Sequence, residues 1–315
     1  MAADATAPPW RGPPLTTVRF ILTMKRGGLA VVAAVLAVTL AASTPRALAA
    51  SKPRVVASFY PLAYAAQRVG DGRVTVSNLT PAGAEPHDLE LTPDQIDAVL
   101  DADLMLELGH NFQPAVEKSA AQRDGPTVKV LDRLAAAKSH SNDPHVWLDP
   151  VLMQALVTQV ERALTKADPT HRAVYARNAR ALRSELAALD VRYRDGLANC
   201  ERKLIVTAHE AFGYLARRYG LRQEGVAGLS PDDEPDPNRI AQLTDLARRE
   251  HATVVFTEEL VSPRIADTLA REAGVRTAVL NPLEGLTDRE RRTGANYITV
   301  MDDNLRTLRS ALGCK

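Results

Sequence analysis

The 315-residue sequence contains few cysteines, only Cys200 and Cys314. Neither has a second metal ligand at the short spacing of a cysteine-based zinc site, which argues against that class of site. An even pair of cysteines in an oxidising compartment favours a disulfide. Two buried free thiols remain the alternative, because the sequence does not give the distance between the two Cα atoms.

The sequence also lacks an excess of charge of either sign. Charged residues make up 24% of the chain, and the formal net charge is +1. Residues 1–49 contribute five positive side chains and one negative, so the remainder carries a net charge of about −3. This composition lacks the excess of positive charge that is typical of nucleic-acid-binding proteins. The length and the 45% hydrophobic content are enough for two domains with their own cores.

The apolar run Leu29–Ala42 is too short to span a bilayer comfortably. Lys25-Arg26 precede it and Ala47-Leu48-Ala49 follow it, the pattern of a secretory signal peptide. We therefore predict a leader over residues 1–49, with the signal peptide at 24–49, cleavage near Ala49, and export to the periplasm or another extracytoplasmic location. A retained membrane anchor is the alternative. No cysteine follows the run, which argues against a lipid anchor.

Short apolar strands alternate with helices in two halves of the remaining chain. The predicted strands are Arg54–Phe59, Val74–Leu79, Leu104–Leu108 and Thr127–Leu131 in the first half, and Lys203–Ala208, Arg222–Val226, Thr253–Thr257 and Arg276–Leu280 in the second. Helix starts are marked at Thr92-Pro93, Asp149-Pro150, Asp168-Pro169, Asp236-Pro237, Ser262-Pro263 and Thr287. This alternation predicts an α/β fold of two lobes, each with a four-stranded parallel sheet flanked by helices.

Between the two halves the pattern is helical without a strand. The helix predicted from Asp168-Pro169 to about Ala198 would be roughly 45 Å long. Its apolar positions recur every three or four residues, at Tyr175, Ala179, Leu182, Leu186, Leu189 and Tyr193. We predict that it links an N-terminal lobe, 50–166, to a C-terminal lobe, 200–315, as a spine over 167–199. An ordinary long surface helix is the alternative.

Three histidines lie just beyond predicted strands. His209 directly follows Lys203–Ala208, whereas His87 and His145 lie in the loops after the strands that end at Leu79 and Leu131. Ligands of parallel α/β sheets bind at the carboxyl ends of the strands, so these three loops are expected to share one edge of the molecule.

A fourth loop on that edge, after Leu280, offers Glu284, or Asn281 as a weaker alternative oxygen ligand. Three imidazoles and one carboxylate suit Zn²⁺ better than Mn²⁺, which favours more oxygen ligands. We therefore predict one zinc site formed by His87, His145, His209 and Glu284, with no catalytic residues.

The remaining histidines lack this placement. His110 and Trp147 are expected to lie beside the ligands without binding the ion, and His140 is a candidate for auxiliary metal capture. His171 and His251 are expected on the surface of helices.

Five motifs resemble the zinc/manganese class (cluster A-I) of solute-binding proteins of ABC transporters, and most closely its zinc-binding members. In order, they are Pro-Ala-Gly-Ala-Glu-Pro-His-Asp (81–88), Asp-Pro-His-Val-Trp-Leu-Asp-Pro (143–150), Thr-Ala-His-Glu-Ala-Phe-Gly-Tyr (207–214), Ser-Pro-Asp-Asp-Glu-Pro-Asp-Pro (230–237) and Asn-Pro-Leu-Glu-Gly-Leu-Thr (281–287). The resemblance covers about Arg54 to Leu312. It implies two four-stranded α/β lobes bridged by one rigid helix, with the metal between them.

The resemblance also implies a set of ligands and a partner. Carried over by position, the ligands are His87, His145 and His209, and the glutamate of the Asn-Pro-Leu-Glu type of loop is Glu284. A histidine rather than a carboxylate at the third position favours zinc over manganese. The segment 135–142, with His140 as its single histidine, is much shorter than the histidine-rich loop of many zinc receptors. The partner implied is an ABC permease in the membrane.

The function these features favour is an extracytoplasmic, monomeric Zn²⁺ receptor that delivers the ion for import. A Mn²⁺ receptor of the same class is the nearest alternative. A zinc hydrolase is disfavoured, because His209-Glu210 open a His-Glu-x-x-His pattern whose second histidine is replaced by Gly213. A third hypothesis is a surface adhesin with the same fold. The absence of a cysteine for a lipid anchor argues against it.

Overall fold

Two runs of short strands form two separate four-stranded parallel sheets. The computed structural model describes residues 51–134, 143–231 and 236–315. The first sheet has the order β2-β1-β3-β4 and consists of β1 (Arg54–Ala57), β2 (Thr75–Asn78), β3 (Leu104–Glu107) and β4 (Thr127–Lys129). The second has the order β6-β5-β7-β8 and consists of β5 (Leu204–Thr207), β6 (Arg222–Gly225), β7 (Val254–Thr257) and β8 (Arg276–Val279). The predicted α/β architecture is therefore confirmed.

The order of the strands follows from their composition. The central strands β3, β5 and β7 are buried along their whole length, whereas the edge strand β2 is largely open to solvent and the edge strand β6 is only partly buried. Parallel sheets covered on both faces require such continuous apolar strands at their centre. Several strands are one or two residues shorter than predicted, because the terminal residues already turn into the next element. Phe59, for example, caps the first helix, and Leu131 begins a 3₁₀ turn.

Helices flank both sheets and connect them. The α-helices of the described ranges are α1 (Tyr60–Gly70), α2 (Pro93–Asp101), α3 (Pro114–Ala120), α4 (Pro150–Ala167), α5 (Arg172–Leu197), α6 (Gly213–Arg218), α7 (Pro237–Arg249), α8 (Arg264–Ala273), α9 (Asp288–Arg292) and α10 (Tyr297–Leu312). The capping boxes predicted at Thr92 and Thr287 are both present. Within these ranges, no helix is both long enough and apolar enough to pass through a bilayer.

Helix α5 links the two lobes, as the apolar stripe predicts. Every member of that stripe is buried. Near its start, the Asn178 amide donates a hydrogen bond to the carbonyl of Val69 in the N-terminal lobe (3.1 Å). Near its end, the Tyr193 hydroxyl donates to the carbonyl of Met301 in the C-terminal lobe (2.7 Å). One continuous hydrophobic core along this helix therefore joins both lobes.

The start of this helix differs from the prediction. Residues Pro169–His171 form a 3₁₀ turn, and the α-helix begins only at Arg172. The Asp168 carboxylate accepts hydrogen bonds from the His171 ring and the Tyr175 hydroxyl, both at 2.6 Å. These side-chain bonds tighten the first turn, so the α-helix is about 39 Å long instead of 45 Å.

The two cysteines form a disulfide that ties the C-terminus to the segment after α5. Cys200 and Cys314 are bonded across a sequence separation of 114 residues. The backbone N–H of Lys315 also donates to the carbonyl of Asn199 (3.1 Å). The disulfide thus closes a loop that contains the whole C-terminal lobe.

Replacing both Cys200 and Cys314 with serine is expected to lower the free energy of unfolding by about 4–5 kcal/mol. The closure of a loop of about 100 residues removes that much conformational entropy from the unfolded chain. Urea unfolding of the oxidised wild type, the reduced wild type and the double variant measures it. The reduced wild type should match the variant, and equal stability of the oxidised and reduced wild types would contradict the prediction.

Candidate metal centre

The structure brings four predicted residues together where strands of both sheets end. His209 follows β5 after one residue, and the loops after β2, β4 and β8 carry His87, His145 and Glu284. Each residue offers a ligand atom that lies within 4.8 Å of the other three. Searched over the described ranges alone, the chain has one such group of histidine, cysteine and acidic side chains.

The distances within this group suit a tetrahedral ion. The Glu284 Oε1 atom lies 3.2 Å from the Nε2 atoms of both His87 and His145 and 3.4 Å from Nε2 of His209. The two buried rings, His145 and His209, approach each other to 3.4 Å between their Nε2 atoms. Bonds of about 2.0–2.1 Å to a tetrahedral zinc ion place neighbouring ligand atoms about 3.3 Å apart. Four edges of the donor set therefore already have the length that zinc requires.

The donor set is almost sealed from water. The residues His145 and His209 are fully buried and Glu284 is 1% exposed, while the His87 side chain keeps 10% of its surface. A buried carboxylate is costly unless it is paired with positive charge. The second oxygen of Glu284 is buried without a hydrogen-bond partner among the described residues. A divalent cation bound to this carboxylate would offset the cost of burying its charge.

Two of the rings are held by carboxylates on their outer nitrogen. Asp143 Oδ1 accepts hydrogen bonds from the backbone N–H (3.0 Å) and Nδ1 (2.9 Å) of His145. Glu258 Oε1 accepts the equivalent pair from His209, at 3.1 and 2.8 Å. A carboxylate on Nδ1 fixes the tautomer, so that Nε2 presents its lone pair to the metal and becomes more basic.

No role was predicted for Asp143 or Glu258. Their positions in the chain place both carboxylates near the ligands. Asp143 stands two residues before His145, and Glu258 directly follows β7, so it lies at the same sheet edge as the ligands.

The loop that presents Glu284 is shaped by Asn281, the residue predicted as the alternative fourth ligand. Its Oδ1 atom accepts a hydrogen bond from the backbone N–H of Leu283 (2.7 Å), and its Nδ2 donates to Glu290 (3.0 Å). Both ends of the amide are therefore engaged within the protein. Leu283 has a left-handed backbone, φ 57°, which is rare for leucine, and the hydrogen bond that it donates to Asn281 stabilises this conformation.

Trp147 packs against the ligand candidate His145. Its fully buried ring is 5.1 Å from that of His145 between centroids. The indole N–H donates to the carbonyl of Pro282 (2.7 Å), and the Trp147 carbonyl accepts from the Tyr297 hydroxyl (2.5 Å). The residue thus connects the segment of His145 to the loop of Glu284.

His110 does not take its predicted place beside the ligands. Its side chain is 38% exposed, and its Nε2 atom is 3.1 Å from a carboxylate oxygen of Asp132. Three successive residues, 109–111, have positive φ, and this turn carries the ring to the surface. His140 lies outside the described residues, so its role in metal capture stays a prediction.

A further carboxylate, that of Glu85, supports His87. It accepts a hydrogen bond from the backbone N–H of His87 (3.1 Å). Burial, followed by the charge of Glu284, raises the pKa of Glu85 to about 9. Burial and the nearby charge of Glu284 therefore both favour the protonated form of Glu85.

The charges of the donor set are strongly coupled. Burial by itself lowers the pKa of His145 and of His209, but hydrogen bonds and the charges of neighbouring carboxylates outweigh it. The pKa of His145 is raised by Asp143 and Glu284, and that of His209 is raised well above its usual value by Glu258 and Glu284. Burial favours a neutral Glu284, yet the three imidazoles hold its pKa well below the usual range.

Zinc affinity is expected to fall as the pH decreases, beginning above the ordinary histidine pKa of about 6.5. Zinc must displace up to two protons from the rings with raised pKa, so the affinity should drop by up to about 100-fold per pH unit. Glu284 stays ionised throughout because its pKa is lowered. A competition titration at several pH values measures the slope.

Thermal unfolding provides a second measure of the same linkage. Because the histidine pKa values are higher in the folded than in the unfolded state, protonation stabilises the zinc-free fold. This stabilisation is complete at a pH below the unfolded-state pKa and is lost as the pH rises through the folded-state pKa values. The increase in Tm on adding zinc should therefore grow from about pH 6 to about pH 8. An increase that is constant over this range would contradict the account.

The chain matches a known family over nearly all of the described fold. The model for zinc-uptake complex component A, periplasmic (ZnuA), matches residues 55–311. The high-affinity zinc uptake system protein ZnuA of Bacillus subtilis (strain 168) is 38% identical over 274 residues, which cover 81% of this chain and 86% of that protein. The zinc-binding lipoprotein AdcA of Streptococcus pneumoniae serotype 4 is 36% identical over 271 residues, 80% of this chain but 54% of AdcA. This chain thus spans about half the length of AdcA.

The fold is also similar to that of a solved structure. The crystal structure of the Zn(II)-bound ZnuA-like domain of Streptococcus pneumoniae AdcA has a TM-score of 0.73 and 35% identity, and covers 83% of this chain and 99% of that domain. Both the family match and the identity extend across the two lobes and the helix between them. The chain therefore belongs to the ZnuA family of zinc-uptake complex components.

Proposed function

We propose that the protein is an extracytoplasmic receptor that captures Zn²⁺ between its two lobes and delivers it to an ABC permease for import. The observation that carries the proposal is the convergence of three imidazole nitrogens and one carboxylate oxygen on one point. The ligands His87, His145, His209 and Glu284 would then bind the ion as cargo. The zinc-uptake relative from Bacillus subtilis and the Zn(II)-bound domain of AdcA support this reading.

The donor set favours zinc over manganese, the nearest alternative. Zinc prefers four ligands with nitrogen or sulfur among them, whereas manganese prefers more oxygen ligands. The three imidazole nitrogens outnumber the carboxylate oxygen, and His145 and His209 are fixed by their own carboxylates. These features make Zn²⁺ the ion that fits the site.

The site is that of a receptor rather than an enzyme. A catalytic zinc site keeps one position open for water or substrate. Here four protein side chains surround the same point, and three of them are buried. The family that the chain belongs to takes up zinc, and position 213, where a His-Glu-x-x-His protease has its second histidine, is glycine.

The proposal includes an exported, monomeric chain with the leader 1–49 removed near Ala49. The N-terminal lobe then comprises 50–166, the linking helix 167–199 and the C-terminal lobe 200–315. The partner is a permease in the membrane, and no nucleic acid is involved. Mass spectrometry of the exported protein tests the cleavage site, and a chain that retains residues 24–49 would overturn this part of the proposal.

Competitive metal titration of the purified exported protein tests the metal. The proposal expects one Zn²⁺ per chain, bound much more tightly than Mn²⁺. Equal or tighter binding of manganese would favour the alternative receptor. Metal-dependent hydrolysis of model esters or peptides by the zinc-loaded protein would favour an enzyme.

Growth of the source organism tests delivery. Deletion of the gene should slow growth in zinc-chelated medium, and the wild-type gene should restore it. A gene with Glu284→Ala should not restore growth, although the protein is still exported. Full rescue by that variant would show that binding at this site does not serve uptake.

A further inference from the structure

One short helix contacts both halves of the metal centre. Helix α6 begins at Gly213, four residues after His209, and therefore continues directly from a ligand of the C-terminal lobe. Its Arg218 donates a hydrogen bond to Asp149 at the start of α4 (2.7 Å). Its Arg217 lies 3.3 Å from Asp143, two residues before the ligand His145 of the other lobe. The helix thus spans the cleft at the ligands.

Asp143 divides its two carboxylate oxygens between the lobes. Oδ1 accepts both hydrogen bonds from His145, and Oδ2 accepts one from Nη2 of Arg217. Glu258, the carboxylate that supports His209, has no such second contact among the described residues. Glu258 also uses one oxygen for its ring, but its other oxygen is buried without a described partner. The orientation of His145 is therefore linked to the opposite lobe by a charged contact.

The Arg217 guanidinium, whose side chain is 45% exposed, also contacts a neighbour on α6. Arg217 lies over the ring of Tyr214, 4.7 Å from its centroid, one helical turn earlier. The Tyr214 hydroxyl lies 3.3 Å from the backbone carbonyl of Asp143. Two side chains of α6 therefore approach Asp143 together, one at its carboxylate and one at its backbone.

Gly213 leaves the room that this contact needs. A Cβ atom at Gly213 would lie 2.6 Å from Oδ2 of Asp143 and 3.1 Å from Nη1 of Arg217. The first distance is shorter than any normal contact, so a larger residue would displace the carboxylate. The glycine that replaces the second histidine of a His-Glu-x-x-His pattern thus has a steric role at the site.

We propose that Arg217 is a positioning residue for zinc binding, which acts across the cleft through Asp143 to hold the His145 ring toward the ion. The inference rests on the proposed function. Parting of the lobes would separate Arg217 from Asp143, free the carboxylate and loosen His145, so the contact couples retention of zinc to the closed arrangement of the lobes.

The direction in which Arg217→Ala changes the zinc affinity distinguishes a positioning role from an effect of charge alone. Arg217 is a cation near a site for a dication, so electrostatic repulsion alone predicts that Arg217→Ala binds zinc more tightly. Positioning predicts weaker binding, by about 10-fold, the lower end of the range for groups that support metal ligands. Competition titration and the rate of zinc dissociation measure the effect, and Arg217→Lys should restore part of it.

Asp143→Asn tests whether the effect passes through the carboxylate. This variant should weaken zinc binding by about 10-fold or more, because a neutral amide supports the imidazole less well. Adding Arg217→Ala to Asp143→Asn should then change the affinity less than twofold, since the contact is already lost. The same loss in both backgrounds would overturn the proposed route through Asp143.

Arg222→Ala is the matched control. Arg222 lines the same cavity of about 430 Å³ as Asp143 and Arg217, but it pairs with Glu250 (3.0 Å). Its removal takes away the same charge and should leave the zinc affinity unchanged or slightly higher.

Gly213→Ala gives an independent check. The substitution should lower zinc affinity, because its Cβ atom would displace the Asp143 carboxylate from its contacts with Arg217 and His145. Unchanged affinity in both Gly213→Ala and Arg217→Ala, with a wild type that binds zinc tightly, would overturn this inference alone. A wild type that does not bind zinc would overturn the proposed function, and the inference with it.

Discussion

Replacing His209 with alanine is expected to weaken zinc binding by about 100-fold or more. Zinc sites built from four protein ligands bind with about 10–16 kcal/mol, so one ligand of four contributes roughly 3 kcal/mol, which is about a 100-fold change in Kd. The truncation also leaves Glu258 buried without the ring that it supports. Competitive titration against a chelator of known affinity measures the change.

His171→Ala is the control for this experiment. This histidine lies at the surface, where its ring bonds to Asp168 (2.6 Å), and it contacts none of the four ligands. The zinc affinity of the control should stay within a factor of two of wild type. A His209→Ala variant that binds zinc as tightly as His171→Ala would contradict the assignment of His209 as a ligand.

Trp147→Ala is expected to lower the free energy of unfolding by about 3–5 kcal/mol, as for other large aromatic side chains truncated in a core. The ring is fully buried and packs at 4.8 Å from Phe59 and 5.5 Å from Phe112. Zinc affinity should fall as well, by about 10-fold, because the ring lies against His145 and its N–H holds Pro282, two residues before Glu284. Urea unfolding of the zinc-free protein and zinc titration measure the two effects.

Trp147→Phe separates the packing from the hydrogen bond. It retains most of the ring but leaves the buried carbonyl of Pro282 without its donor, which should cost about 1–3 kcal/mol. The phenylalanine variant should therefore lie between wild type and Trp147→Ala in stability. Equal stability of all three proteins would show that Trp147 does not join the two lobes energetically.

The sequence was sufficient to predict the sheets and the edge on which the site lies. Apolar strands that alternate with helices leave few choices of topology, and the carboxyl ends of parallel strands meet on one edge. The positions of His87, His145 and His209 after strands therefore predicted their proximity. The linking helix was predictable for a similar reason, because a stripe with a period near 3.6 must be buried along its length.

Residues in loops without periodicity were harder to predict. His110 follows β3 and so satisfies the same strand-end rule as the three ligands, yet a turn of residues with positive φ directs it to Asp132 and solvent. Glu258 also follows a strand, but a carboxylate at a strand end does not reveal which ring it will meet. The direction of a loop side chain depends on backbone angles that residue patterns do not encode.

Asn281 shows a signal that was present in the sequence and not used. An asparagine side chain often bonds to the backbone N–H two residues later, and Asn281 does so to Leu283. That local bond competes with metal binding. The contact between Arg217 and Asp143, by contrast, joins residues 74 positions apart and depends on the relative placement of two lobes, which no local pattern predicts.

The most direct test of the account is a crystal structure of the zinc-loaded protein with anomalous diffraction measured at the zinc edge. The account predicts one zinc peak, about 2.0–2.2 Å from Nε2 of His87, His145 and His209 and from a carboxylate oxygen of Glu284. A zinc peak bound elsewhere, or at this point without Glu284 or any one of the three histidines, would contradict it.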